Sequence, residues 1–180
     1  MPLVAPTAAA PPLVLAIDLG TSSVRVLAVD ALGRAVAGTE AQQRYAIDTS
    51  AEGAAETAAP PLFDLLVETI DGSLALLGPQ AGEIVAVGFT SFWHGLLGLG
   101  ADGDPATPVY YWGDTRSAPD AAALRRELDE AATLARTGCR FHSSYWPAKL
   151  RWLGRTQPAR TAEVARWSGF AEYALGRLCP

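Results

Sequence analysis

The chain has 180 residues, 49% of them hydrophobic, and a mean hydropathy of +0.14, which is enough apolar material for a real core and excludes a disordered segment. A net charge of −5 and a single lysine, Lys149, argue against a broad nucleic-acid surface, which needs clustered basic residues. Cys139 and Cys179 are too few and too far apart for a disulfide framework or a Cys-x-x-Cys site, and are expected as reduced, buried thiols.

The opening Met1 to Pro12 holds four prolines and no basic residue, so it lacks the positive start of a secretory signal and reads as a flexible leader over 1–12. Leu13 to Asp18, Ser23 to Asp30 and Arg34 to Tyr45 read as three successive strands of a meander, with Ala31-Leu32-Gly33 as a tight turn. Residues 48–60, rich in Ala, Gly, Thr and Glu, read as a loop leading to a helix over Pro61 to Leu77. In that helix Leu62, Leu65, Leu66, Thr69, Ile70 and Leu76 favour one face. The nearly continuous apolar run Ile84 to Thr90 predicts a strand buried on both faces.

Short strands follow near Gly95 to Leu99 and Val109 to Trp112, joined by the turn-forming Ala101-Asp102-Gly103-Asp104-Pro105. Ala121 to Thr137 predicts one helix, with Asp120 or Ser117 as its cap and Gly138 as its stop. Two more helices are expected at Ala148 to Arg155 and Phe170 to Leu178, separated by Pro158 and Gly169. No stretch reaches the roughly 18 uninterrupted apolar residues of a membrane span, so a soluble, cytoplasmic protein is expected.

The most informative stretch is Asp18-Leu19-Gly20-Thr21-Ser22-Ser23-Val24-Arg25, set between the first two strands. Gly20 allows tight bending and close approach of a phosphate to the main chain, and Thr21, Ser22 and Ser23 add hydroxyl donors. A carboxylate at Asp18 would repel a triphosphate unless a divalent cation lay between, and Mg²⁺ is typically held by one or two carboxylates plus phosphate oxygens and waters. Arg25 either supplies a positive fork for phosphate or points to solvent. Taken alone, the octet also fits an ordinary hairpin turn.

The octet resembles the first phosphate loop of the FGGY carbohydrate kinases, members of the actin, hexokinase and heat-shock-chaperone ATPase superfamily. Four further blocks follow in family order: Phe89-Thr90-Ser91-Phe92-Trp93-His94-Gly95, Thr107 to Arg116, Thr137-Gly138-Cys139 and Lys149-Leu150-Arg151-Trp152-Leu153. The Ser-Phe-Trp-His block followed by Trp-x-Asp-Thr-Arg is most similar to the gluconokinase-like branch. The resemblance implies an α/β, ribonuclease-H-like domain over 13–180: three antiparallel strands, a helix and a parallel strand, with inserted substrate-binding elements and C-terminal helices. It implies ATP and Mg²⁺ as cofactors, with Asp18 on the metal and Gly20, Thr21, Ser22, Ser23 and Arg25 on the nucleotide phosphates.

A sugar or sugar acid needs a few directed hydrogen bonds and an apolar wall. The resemblance assigns His94 and Asp114 to hydrogen bonding and Trp93 and Trp112 to packing against the substrate. Arg116 either clamps a substrate carboxylate or braces its own loop through backbone carbonyls. His142 is a further candidate, and Trp146, Trp152 and Trp167 are assigned to the core.

Two other motifs carry nothing. Gly98 to Gly103 satisfies G-x-G-x-x-G, but Asp104-Pro105 follows and no helix begins there. Ser91 with His94 lacks the glycines of a nucleophile elbow, and no Gly-Lys-Ser/Thr exists for a P-loop.

In the family the general-base aspartate and a second domain lie beyond the segment matched, so no catalytic base is expected within this chain. Gluconate is the first substrate expected, with the chain as the N-terminal portion of a kinase and inactive alone. A non-catalytic sugar-binding or regulatory module, and a half-enzyme needing a separate C-terminal chain, are the alternatives.

Overall fold

A computed structural model describes residues 1–179. In chain order the strands are β1 (Leu3–Val4), β2 (Leu13–Leu19), β3 (Ser23–Val29), β4 (Ala35–Val36), β5 (Ala41–Arg44), β6 (Asp48–Thr49), β7 (Ala55–Thr57), β8 (Ile84–Ser91), β9 (Leu97–Leu99), β10 (Val109–Tyr110) and β11 (Arg166–Ser168). The α-helices are α1 (Ala59–Leu77), α2 (Ala118–Glu127), α3 (Glu130–Thr137), α4 (Trp146–Thr156), α5 (Pro158–Ala162) and α6 (Phe170–Leu178). The chain divides into two compact units, Met1–Ala46 with Pro61–Phe92, and Ile47–Pro60 with Trp93 onward.

The first unit is a mixed sheet in the order β1-β4-β3-β2-β8, with β5 also paired to β3. The alternation read from the sequence is realised in β2, where Leu13, Leu15, Ile17 and Leu19 are buried, and in β3, where Val24, Val26 and Ala28 are buried. β2 pairs antiparallel with β3, from Val14↔Val29 to Leu19↔Val24, and parallel with β8. In α1, Leu62, Leu66, Thr69, Ser73 and Leu77 are buried at helical spacing, while Leu76, expected on that face, is exposed. The polar members of the face are satisfied: Ser73 Oγ donates to the Thr39 carbonyl at 2.7 Å, and Thr69 Oγ1 donates to the Leu65 carbonyl at 2.6 Å.

Three expectations change in this unit. The long third strand is split into β4 and β5, because Gly38 adopts a positive φ of 78° and the Thr39 hydroxyl turns back to the Val36 carbonyl. The first twelve residues, read as a flexible leader, carry paired structure: β1 runs parallel to β4 with Leu3↔Ala35 and Val4↔Val36, and Val4 is buried. An open edge of β4 presents main-chain groups that an extended segment satisfies. β8, expected to be covered on both faces, pairs only with β2, and Val85 and Val87 are 70% and 58% exposed.

The second unit contains the three-stranded sheet β10-β7-β6, the pair β11-β9 and helices α2 to α6. Leu96, Tyr110, Trp152 and Leu153 form its core, with Trp146, Leu150 and Trp167 packed against it, as expected for the three tryptophans. Residues 48–60 are not simply a loop: β6 and β7 form a hairpin, and β7 joins β10 through Val109↔Thr57 and Tyr110↔Glu56. Gly53 turns that hairpin at φ 92°, and a Cβ there would fall 2.1 Å from Thr115 Oγ1.

The helix expected over Ala121 to Thr137 is broken after Glu127. The Asp129 carboxylate accepts the Ala132 amide at 2.9 Å and starts α3, and Gly138 stops it at φ 72°. Ser117, one of the two expected caps, sits at the N-cap position of α2, but its side chain makes no cap bond. Ser117 Oγ donates to the Ser143 carbonyl at 3.0 Å, and buried Asp120 pairs with Arg155 at 2.7 Å. The segment Gly100 to Asp104 is a turn, closed by the Gly100 amide on the Asp104 carbonyl at 2.8 Å. Cys139 and Cys179, expected buried, are exposed.

Candidate functional site

In the first unit, β2 and β3 hold the loop 20–22 at one end of the sheet. The Gly20 amide donates to the Ser23 carbonyl at 3.0 Å, and Tyr45 Oη donates to the Gly20 carbonyl at 2.6 Å, so the bend is fixed from both sides. The Thr21 and Ser22 amides enter no internal hydrogen bond among the described residues, and the Asp18 side chain is exposed with no ion pair. Free amides beside an open carboxylate suit a metal-bound phosphate.

No group of three or more His, Cys, Asp or Glu that could hold a metal by itself exists among the described residues. Asp18 therefore fits Mg²⁺ only where phosphate oxygens and water complete the shell. Arg25 Nε lies 3.3 Å from Glu40 in an exposed ion pair without a hydrogen bond, a weak contact. Ser23 Oγ accepts from Gln42 at 3.0 Å.

In the second unit, Trp93 and His94 lead into β9. His94 has a φ of 60°, a left-handed conformation that is uncommon for a residue with a Cβ and stores strain of order 1 kcal/mol. Its ring meets Tyr145 edge-on at 4.7 Å, and the His142 ring also meets Tyr145 edge-on at 5.9 Å. Trp93 is 76% exposed and Trp112 53% exposed. Ser144 Oγ donates to the Trp112 carbonyl at 2.7 Å, tying the Trp112 loop to the His142–Tyr145 loop. Together these residues make an exposed aromatic surface with imidazole and hydroxyl groups along it.

Asp114 is not on that surface. It is 1% exposed, and its carboxylate accepts from the Ala55 amide at 3.2 Å and from the Arg116 amide and Nε, both at 3.1 Å. The role expected for it, direct hydrogen bonding to substrate, is taken up by protein donors. Arg116 braces its loop, but through the carboxylates of Asp114 and Glu56, not through backbone carbonyls. The guanidinium also lies 4.5 Å above the Trp152 ring. Burial pulls Arg116 down, but its bonds to Asp114 and Glu56 outweigh this and hold it above the ordinary arginine value.

Sequence reasoning missed Tyr145, Glu56 and Lys149. Tyr145 had a local signal, since Pro147 marks the start of a helix and puts Tyr145 at its N-cap position. Glu56 had none, because its partner Arg116 is sixty residues away.

The model of the N-terminal domain of the FGGY family of carbohydrate kinases matches residues 13–179. The chain belongs to this family. It is 36% identical over 164 residues to the xylulose kinase of Streptomyces coelicolor, a match covering 89% of this chain and 32% of that protein. It is 25% identical over 166 residues to the gluconokinase of Bacillus subtilis, covering 91% of this chain and 31% of that protein. The structure of gluconate kinase from Lactobacillus acidophilus superimposes with a TM-score of 0.83 at 25% identity, over 92% of this chain and 32% of that one. The chain spans about a third of the length of the curated relatives it matches. The FGGY chain thus carries the actin- and hexokinase-like ATPase fold of the sugar kinases it resembles, and none of its described helices is long and apolar enough to cross a membrane.

Proposed function

We propose that this FGGY chain supplies the phosphate-binding and sugar-binding surfaces of a kinase that transfers the γ-phosphoryl group of ATP to a hydroxyl of an open-chain sugar or sugar acid. The observation that carries the reading is the aromatic surface: Trp93 and Trp112 are exposed, and His94 is held in a strained backbone against Tyr145. Solvent-exposed tryptophans on a braced loop suit the C–H faces of a polyol, and His94 suits its hydroxyls. On the phosphate side, Asp18 would hold Mg²⁺ together with phosphate oxygens, and the Thr21 and Ser22 amides would receive the phosphate. The ion offsets the negative charge of carboxylate and phosphate. Arg25, held only by an exposed ion pair to Glu40, would add charge to the main-chain donors of the loop.

Gluconate remains a candidate substrate, but Arg116, the cation expected for its carboxylate, is already neutralised by Asp114 and Glu56. That favours a neutral sugar such as xylulose. Titrating the chain with D-xylulose and with D-gluconate, read by tryptophan fluorescence, tests the surface; ADP release with Mg-ATP tests turnover. The reading expects saturable binding that Trp93→Ala weakens at least tenfold with the fold intact. Binding of neither sugar would overturn it, and sugar binding by a chain that never supports turnover, alone or complemented, would make it a binding module.

A half-enzyme reading has its own support in β8. Its apolar residues are of the kind that sits between two covered faces, yet Val85 and Val87 are open to solvent. Further polypeptide packed there would cover them, and turnover that appears only when a C-terminal chain is added would establish this reading.

A further inference from the structure

The chain uses thirteen arginines and one lysine, and the lysine is its most buried cation. Lys149, on α4, is 1% exposed, and its ammonium donates to the Ser143 carbonyl at 3.0 Å and to the Asp114 carbonyl at 3.3 Å. These two acceptors belong to different loops. Asp114 follows Trp112, and Ser143 lies between His142 and Tyr145, so one nitrogen joins the two segments that carry the exposed aromatic surface.

We infer that Lys149 is a positioning residue, a proton-dependent latch that holds the Trp112–Arg116 loop and the His142–Tyr145 loop in register. Its relevance to sugar binding rests on the function proposed above; the latch itself does not. A lysine suits the task, because a compact ammonium with rotatable donors can reach carbonyls on two different loops. Ser117 Oγ on the Ser143 carbonyl and Ser144 Oγ on the Trp112 carbonyl add neutral bonds to the same junction. Only Lys149 brings charge to it, and charge-assisted bonds are about twice as strong as neutral ones.

Burial makes the proton labile. Burial lowers the Lys149 pKa to about 8; the Asp114 charge favours the proton and the Arg116 charge opposes it. The nearby charges on the packed elements are otherwise engaged. On α2, Asp120 is paired with Arg155 and Arg151, and in the 142–145 loop His142 Nδ1 is bonded to Ser144. Above that pH a neutral amine, with two donors and a buried lone pair, replaces the ammonium and the junction loosens.

Because Lys149 is the only lysine, protein labelled with ¹³C-lysine gives one side-chain signal, which should titrate near pH 8 instead of near 10.5. Amide hydrogen exchange, corrected for intrinsic rates, should accelerate at least tenfold in residues 112–116 and 142–145 between pH 7 and 9, while β2 is unchanged. Lys149→Met should show the fast exchange at every pH, and Lys149→Arg, which stays charged, should lose the pH dependence. Loops that exchange alike at pH 7 and 9, or a folded Lys149→Met within twofold of wild type, would overturn the latch. If Lys149→Met does not fold, the wild-type pH series and Lys149→Arg still decide. A working latch in a chain that binds neither D-xylulose nor D-gluconate would leave Lys149 as assigned and remove the sugar reading instead.

Discussion

Replacing Asp114 with alanine separates a sugar ligand from a structural anchor. The substitution removes an acceptor from the Ala55 amide and the Arg116 amide, and removes one of the two carboxylates that neutralise the Arg116 guanidinium. Breaking a buried ion pair from one side costs about 3–5 kcal/mol, since the other charge is left uncompensated. Here Glu56 still pairs with Arg116, whose side chain is 21% exposed, so part of the loss is recovered and about 3 kcal/mol is expected. With a urea slope of about 2 kcal/mol per molar, the midpoint should fall by about 1.5 M. All five tryptophans lie in the second unit with Asp114, so tryptophan fluorescence reports the unfolding of that unit directly. Glu56→Gln, which removes the more exposed of the two carboxylates on Arg116, should cost less than about 1 kcal/mol. An Asp114→Ala midpoint within about 0.3 M of wild type would refute the reasoning. It would mean that the carboxylate does not hold the loop and is free for a substrate.

Three further outcomes follow from the same geometry. Gly98→Ala should destabilise the second unit by about 1–3 kcal/mol, because the new Cβ would lie 2.6 Å from Val164 and 2.9 Å from Thr107, both stiff β-branched side chains; an unchanged urea midpoint would count against the packing of β9 on β11. The Arg34 side chain holds the Asp30 carboxyl well below its ordinary 3.8 against the opposing effect of burial, so its contribution is full above that pH and is lost as acid protonates the folded state. Circular dichroism of wild type and Asp30→Asn should therefore show a stability gap at pH 7 that narrows at and below pH 3, and a constant gap would contradict the assignment. Val85→Lys combined with Val87→Lys should reduce self-association in size-exclusion chromatography with stability changed by no more than about 0.5 kcal/mol; unchanged association would mean that the open face of β8 is not adhesive.

What was legible in the sequence was what local periodicity encodes. The alternation of Leu13, Leu15, Ile17 and Leu19 is enough to place β2, and the helical spacing of Leu62, Leu66 and Thr69 is enough to place α1. β6 and β7 were not legible, because the strand-favouring Thr49 and Thr57 sit beside Asp48, Ala55 and Glu56, which are depleted in strands, and the pairing that defines β7 comes from β10, some fifty residues later. The break between α2 and α3 was hidden for the opposite reason: its flanks are good helix formers, and only the competing bond from Asp129 to the Ala132 amide restarts the helix there.

The site shows the same division more sharply. The resemblance assigned Trp93, His94 and Trp112 to the substrate; the structure leaves both tryptophans exposed and gives His94 a φ of 60°, features that residue types alone do not reveal. Asp114 and Arg116 carried an equally polar signature, but whether a carboxylate faces a ligand or a neighbour depends on groups distant in sequence: the Ala55 amide, Glu56 and, through the loop carbonyl, Lys149. Those partners convert two expected substrate contacts into the frame behind the aromatic surface. They also explain why specificity cannot be read from the Trp-x-Asp-Thr-Arg block alone. The block's charges are spent on holding the loop, so under the proposed function discrimination between a neutral sugar and a sugar acid would fall to the exposed groups around His94, where an unpaired hydroxyl or carboxylate is most costly.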